Sequence, residues 1–275
     1  MTRAVPYIIL SILLIVLLAP LYIMTIGSFT EMAGFLKKPP SLILRNPTLK
    51  NYTMILSDSP VLLWCANSII VAGTTVLLSV CTIVLAGYCF SRYPGRIVNV
   101  LYAMLLLGVM MPKNALIIPM FILIKNLGLS GTLAAVILPS VFYPVGLFIY
   151  KTYLDKIPRT YDDCARMDGA KELTIITRVI VPMSRPAIAA IATFSLMGSL
   201  QEFMWQFLML QRTSLYTLII GLTRKAYASQ LVIFGINPIG LKMATGMVLF
   251  VPLAAIYGFL HRYYLEGIMT GGVKG

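Results

Sequence analysis

Long stretches almost free of charge alternate with short polar breaks along this chain. The first runs from Ala4 to Thr30. Others cover Val61–Ser91, Ile97–Ile124, Thr132–Tyr150, Pro186–Leu210 and Leu241–Leu260. Each is close to, or longer than, the ~20 apolar residues that an α-helix needs to cross a bilayer. The pattern predicts an all-α integral membrane protein with six transmembrane helices, over about 5–29, 61–91, 97–124, 132–151, 183–210 and 241–262. An even number of spans puts both termini on one side. The opening stretch resembles a secretory signal, but its apolar run exceeds the ~7–15 residues of a signal core and no A-x-A site follows, so it reads as an uncleaved first span.

The breaks have their own chemistry. RYPGR closes the second run, and KNLGLSG makes a short turn between the third and the fourth. Pro112, Pro119, Pro139 and Pro144 fall within the third and fourth runs. In a bilayer, backbone groups freed by proline need partners from neighbouring helices or from water. The cluster therefore predicts broken helices around an interior path; kinks in a static bundle would leave the same trace. A long amphipathic connection over 211–240 separates the last two spans, and a glycine-rich tail over 267–275 ends the chain.

Composition sharpens the class. Hydrophobic residues make up 59% and charged residues 11%, against about 25% charged in a soluble domain, which leaves too little charge to solvate a globule of this size. The net charge of +13 does not point to nucleic acid, because the basic residues are scattered through loops and form no stripe with interleaved aromatics. With the N-terminus inside, twelve of the 22 basic residues lie on the cytoplasmic side, a weak positive-inside bias. Cys65, Cys81, Cys89 and Cys164 form no C-x-x-C pair and read as small packing residues. No metal site is expected, and none of these residues reads as catalytic. The single histidine, His261, stands at the end of the last span, and no Walker A loop occurs.

One region departs from the rest. Between the fourth and fifth spans, 158–182 is dense in charge of both signs. Thr160 through Asp163 fits a capping box, with Asp162 and Asp163 in a first turn where the helix dipole favours them. Gly169 fits a C-cap glycine. The pattern predicts a two-turn helix over 161–168, a glycine turn, and a second helical piece from Lys171 toward Arg178 that ends before Pro182. Such a capped pair is more ordered than a solvated loop requires and suits a docking surface.

These residues carry a resemblance. Asp163-Cys164-Ala165, three residues, Gly169, nine residues, then Val179-x-Val181-Pro182 resembles the EAA signature of permease subunits of ABC importers, E-A-A, three residues, G, nine residues, I-x-L-P. The wider ARMDGA, the blocks MMPKNALIIPMF and LGLSGTLAAVILP, and the ending GIMTGGVKG are similar to the carbohydrate subgroup, the second permease of maltose-type importers. Two positions depart: Asp163 stands for the usual Glu, and Cys164 for the first Ala.

The resemblance implies that 158–182 is a cytoplasmic coupling loop seated in a groove of an ATPase subunit, polar outside, with Ile175, Ile176 and Val179 toward the spans. It implies contact to the ATPase through Asp162, Asp163, Cys164, Ala165, Arg166, Asp168, Gly169, Ala170 and Pro182. A tail with Gly271, Gly272 and Lys274 would lie near the ATPase subunits, and 211–240 would be external and meet a solute-binding protein. The partners are then a second, homologous permease, two cytoplasmic ATPase subunits, an extracytoplasmic binding protein and the lipid bilayer, with no nucleic acid. No cofactor is expected on this chain; ATP and Mg belong to the ATPase subunits. The location is the cytoplasmic (inner) membrane of a prokaryote, with both termini cytoplasmic.

Candidate path residues complete the reading. Glu202 lies in the fifth run, where a carboxylate in hydrocarbon costs about 2.5–3.5 kcal/mol on insertion scales. It should face a cavity or a partner. Gln201, Glu202 and Trp205 could line a sugar path, with Glu202 and Trp205 on one helix face; Glu202 could equally hold the bundle. Lys113 and Asn114 follow Pro112. The lysine could face the path, pair with Glu202, or snorkel to the interface. The expected function is an ABC importer permease for a sugar or oligosaccharide, not itself catalytic. Alternatives are a permease for an amino acid or a phosphate ester, and a proton-coupled secondary transporter using Glu202.

Overall fold

The computed structural model describes residues 4–30, 43–44, 46–57, 59–228 and 238–272, with backbone alone at 4–5, 238 and 260–272. All regular elements among these residues are helical. They are α1 (Ala4–Ser28), α2 (Lys50–Leu56), α3 (Val61–Arg92), α4 (Arg96–Leu107), α5 (Ile117–Asn126), α6 (Leu133–Ser140), α7 (Pro144–Leu154), α8 (Thr160–Met167), α9 (Glu172–Met183), α10 (Arg185–Gln201), α11 (Met204–Met209), α12 (Leu218–Ala228) and α13 (Pro238–Gly272).

Three stretches are long and apolar enough to cross a membrane as single helices: Pro6–Ser28, Val61–Arg92 and Ile239–Phe259. The third and fourth predicted spans are broken, and the fifth begins at a bend against the second helix of the charged region. Arg96–Met110 and Lys113–Asn126 meet at 99°, Leu133–Ser140 and Pro144–Leu154 at 42°, and Glu172–Met183 and Arg185–Gln201 at 86°. Proline accounts for each break. Pro112 has no N–H and sits extended at ψ 123°. Pro144 opens α7 after an extended Tyr143, and Pro186 in the first turn of α10 has no N–H to carry the helical ladder back across Ser184. The expected breaks hold at Pro112 and Pro144, whereas Pro119 and Pro139 lie inside α5 and α6. The expectation of an unbroken fifth helix reaching Leu210 does not hold, since α10 ends at Gln201 and Glu202 is extended. At the other end of the chain the α13 backbone stays helical through Gly271 and Gly272, further than the boundary at 267 foresaw, while Lys274 lies outside the described residues. So does 229–237 of the long connection.

The chain forms two compact units, 1–65 with 217–255, and 66–216 with 256–275. In the first, Asn51 Nδ2 donates to the Ser28 carbonyl at 2.9 Å, Tyr52 donates to Ser28 Oγ at 2.7 Å, and the Phe29 and Tyr52 rings lie 5.0 Å apart. The end of α1 is thereby tied to α2. Lys225 on α12 donates to the Ser57 carbonyl and to Ser59 Oγ.

In the second unit, Ile83, Val84, Tyr88, Tyr150, Leu154, Ile175, Ile176, Ile180, Ala187 and Ile191 form one buried cluster from α3, α7, α9 and α10. Close approach makes it possible. A Cβ on Gly87 would stand 2.5 Å from Tyr150 Cδ1, so α3 and α7 meet only because that position is bare. Buried hydroxyls satisfy one another: Ser195 Oγ reaches Ser79 Oγ at 3.1 Å, and Tyr150 and Ser184 share a bond at 3.0 Å.

Candidate functional site

The charged region folds as a helix, a left-handed glycine and a second helix, as the sequence predicts. α8 ends in the full Schellman pattern: Ala170 N–H donates to the Ala165 carbonyl and Gly169 N–H to the Arg166 carbonyl, both at 3.0 Å, with Gly169 at φ +80°. Its start differs. Thr160 is already helical, Arg159 precedes it, and no side chain caps the end, so the capping box is not formed. α9 also departs from expectation. It relaxes into a π-turn over Ile176–Ile180 and continues through Pro182. Ile175, Ile176 and Ile180 are buried and Val179 packs against them, so this apolar face turns inward.

The two adjacent aspartates are not equivalent. Asp162 is 1% exposed and pairs with Arg92 at the end of α3, Oδ2 to Nε 3.0 Å, and Arg92 is 3% exposed. Arg92 Nη1 also donates to the Leu154 carbonyl at 3.2 Å. Asp163 is exposed and accepts from Arg166 Nη1 at 3.1 Å. α8, the Gly169 turn and α9 form a knuckle, which Arg166 closes by donating from Nε to Glu172 Oε1 at 2.8 Å and from Nη2 to Oε2 at 3.3 Å. Tyr88 donates to Glu172 Oε2 at 2.7 Å. These donors, Arg166 first and Tyr88 second, hold the Glu172 carboxyl far below the usual carboxylate range, at about 2. Glu172 is itself exposed at the turn, outside the buried face of α9. Further along, Ser91 donates to Asp155 at 2.7 Å, and Arg159 donates to the Ser91 carbonyl at 3.0 Å.

What remains outside is a compact face. Tyr161, Asp163, Cys164, Met167, Asp168, Gly169, Leu173 and Pro182 are exposed, with Met167 at 89%. Ala165 and Ala170 are half-buried against the core cluster. Sequence reasoning placed the knuckle but missed what anchors it. Arg92 and Tyr88 look like the end of an apolar run; their i, i+4 spacing beside a loop rich in carboxylates was the available signal.

The path residues come out differently. Trp205 is 6% exposed and its indole N–H donates to the Ala135 carbonyl at 2.9 Å, so its ring is packed and unavailable for stacking on a sugar. Glu202 and Trp205 do not share a helix face, because the helix breaks between them. Glu202 Oε1 instead accepts the Trp205 backbone N–H at 3.4 Å. Gln201 is exposed. Lys113 and Asn114 are exposed in the 3-10 turn Lys113–Leu116, and no ion pair among the described residues joins Lys113 to Glu202. No cluster of three potential metal ligands occurs among the described residues.

Comparison with known proteins adds the following. A family described as binding-protein-dependent transport system inner membrane component matches residues 79–268. The arabinooligosaccharides transport system permease protein AraQ of Halalkalibacterium halodurans is 29% identical over 93% of this chain and 91% of its own length. The trehalose/maltose transport system permease protein MalG of Thermococcus litoralis is 32% identical over 95% and 93%. In structure, a chain of a bacterial ABC transporter involved in the import of the acidic polysaccharide alginate superposes with a TM-score of 0.82, covering 96% of both chains at 20% identity.

Proposed function

We propose a function from one premise: the chain belongs to the family of binding-protein-dependent transport system inner membrane components. The chain is a permease subunit of an ATP-driven importer and forms half of the translocation path for a sugar or oligosaccharide. It crosses the membrane six times, the bent pairs at Pro112 and Pro144 making the third and fourth crossings and the helix over Arg185–Gln201 the fifth, with both termini in the cytoplasm. It hydrolyses nothing. ATP and Mg belong to two cytoplasmic ATPase subunits, a second permease completes the path, and an extracytoplasmic binding protein delivers the solute. The relatives' names, which are those of oligosaccharide and disaccharide systems, support the substrate class.

The observation that carries the reading is the knuckle. Exposed Tyr161, Met167 and Leu173 stand beside Asp163 and Asp168 on an element closed by a Schellman cap and a bidentate arginine. Large apolar side chains held out on a fixed scaffold mark a protein-docking surface, and the resemblance to the EAA spacing supports the ATPase as its partner. Closure of the ATPase dimer then moves the knuckle, and the helices rock between inward-facing and outward-facing states. A proton-coupled transporter fits less well, because Glu202 has a structural occupation at the start of α11.

Cys164, exposed on that face, supplies the test. With Cys65, Cys81 and Cys89 replaced, a membrane-impermeant maleimide should label Cys164 in inside-out vesicles that hold the permeases alone. Co-expressed ATPase subunits should block the labelling. Labelling only from the outer side, or no protection by the ATPase, refutes the reading.

A further inference from the structure

The knuckle has two routes into the membrane domain, and they differ in stiffness. The covalent route along α9 into α10 passes through the π-turn over Ile176–Ile180 and then the 86° bend at Ser184. The lateral route leads to α3, one uninterrupted helix of 32 residues. Two side chains of its last turns, four residues apart on one face, reach the knuckle at separate points. Arg92 meets Asp162 in the first turn of α8, where both side chains are almost fully buried. Tyr88 meets Glu172 at the first residue of α9, on the far side of the glycine turn, and also lies 3.3 Å from Arg166 Nη2. Arg166 joins these two points by holding Glu172 with both of its ends. Ser91, between them, accepts Arg159 and donates to Asp155, which fixes the strand of chain leading into α8.

We propose that the last turns of α3 hold the knuckle at both ends through Arg92 and Tyr88, and that α3 is the helix through which the knuckle's displacement enters the membrane domain. Arg92 and Tyr88 are positioning residues for coupling. The inference rests on the knuckle being the ATPase contact. A break such as a π-turn or an 86° bend absorbs displacement by changing angle. A buried ion pair backed by hydrogen bonds to both halves of the knuckle admits no such slack without exposing an unpaired charge.

The test uses the assembled importer in proteoliposomes, with sugar uptake and ATP hydrolysis measured together. In a background free of other cysteines, Arg92→Cys with Asp162→Cys removes the ion pair and allows a short bifunctional thiol reagent to bridge the two positions. If α3 and the knuckle move as one body, the bridged particle should keep uptake per ATP within twofold of its cysteine-free parent. The unbridged particle should lose at least tenfold in that ratio while its ATPase subunits stay bound. Tyr88→Phe, which preserves packing, should lower uptake per ATP two- to fivefold at unchanged complex yield. A bridged particle that hydrolyses ATP but transports nothing overturns the proposal, since the knuckle must then slide against α3. Wild-type uptake per ATP in both Tyr88→Phe and Arg92→Lys/Tyr88→Phe also overturns it. A parent complex without ATP-dependent uptake removes the functional reading and this inference with it.

Discussion

Replacing Asp162 by alanine isolates the energetics of the knuckle's anchor. The change deletes a carboxylate that is 1% exposed and leaves Arg92, 3% exposed, with its charge buried beside the cavity. Removing one partner of a buried pair typically costs about 3–5 kcal/mol, because the remaining charge loses its compensation. That is a large share of the roughly 5–15 kcal/mol by which a folded protein is stable. The neighbouring residue is a built-in control. Asp163 is 66% exposed and its partner Arg166 38%, and such surface pairs contribute about 0–1 kcal/mol. Thermal unfolding of the purified permease in detergent, followed by tryptophan fluorescence, should therefore lower the midpoint by on the order of 10 °C for Asp162→Ala. Asp163→Ala should change it little. The double replacement Arg92→Met with Asp162→Leu should recover most of the loss, since apolar residues of similar volume replace buried pairs at little cost. If Asp162→Ala and Asp163→Ala melt together, the ion pair is not the anchor.

Three further outcomes follow from the same structure. Gly87→Ala sets a Cβ 2.5 Å from Tyr150 Cδ1 and should destabilise by about 1–3 kcal/mol through overpacking, whereas Gly73→Ala in the same helix meets nothing within 4 Å and should stabilise by about 0.5–1 kcal/mol; parallel thermal melts compare them. Gly169→Ala forces a Cβ into a φ of +80° at a cost of about 1–2 kcal/mol, and hydrogen exchange should quicken at the Gly169 and Ala170 amides, with Gly169→Asn milder. Glu172 gives the pH dependence. Its carboxyl is lowered from 4.5 to about 2, so its contribution is complete above the ordinary value and is lost as pH falls through about 2. Carboxyl carbon NMR should find it still ionised at pH 4 in the wild type, and Arg166→Gln should move its midpoint back up toward 4.5.

Much of this could be read before any coordinates, and the failures are instructive. Pro119 and Pro139 stay inside helices, and the end of α10 at Gln201 has no proline to announce it. Run length and proline position nevertheless gave most of the helices and the breaks at Pro112 and Pro144, because a missing N–H acts locally. Gly169 was legible for the same reason: only a glycine turn separates two helical patterns so closely. Tertiary partners were not legible. Asp162 and Asp163 have identical local chemistry, and only the arrival of Arg92 from about seventy positions earlier buries one and leaves the other exposed. Thr160 looked like a cap but entered the helix, since the turn after Pro158 already supplies carbonyls to the Tyr161 and Asp163 amides. Trp205 looked like a sugar platform because aromatic type and spacing were all that could be seen; its indole N–H instead meets Ala135 on another helix.

The break between Arg96–Met110 and Lys113–Asn126 bears on the life of the protein before assembly. Residues 107–116 are exposed throughout, and the extended Met111–Pro112 link at the bend cannot be left against acyl chains, which offer no hydrogen bonds. A newly inserted copy without its neighbours is therefore an unfinished membrane protein. It is expected to be short-lived, a substrate for membrane-embedded quality-control proteases, with a half-life that lengthens when the genes for the other subunits are expressed in step.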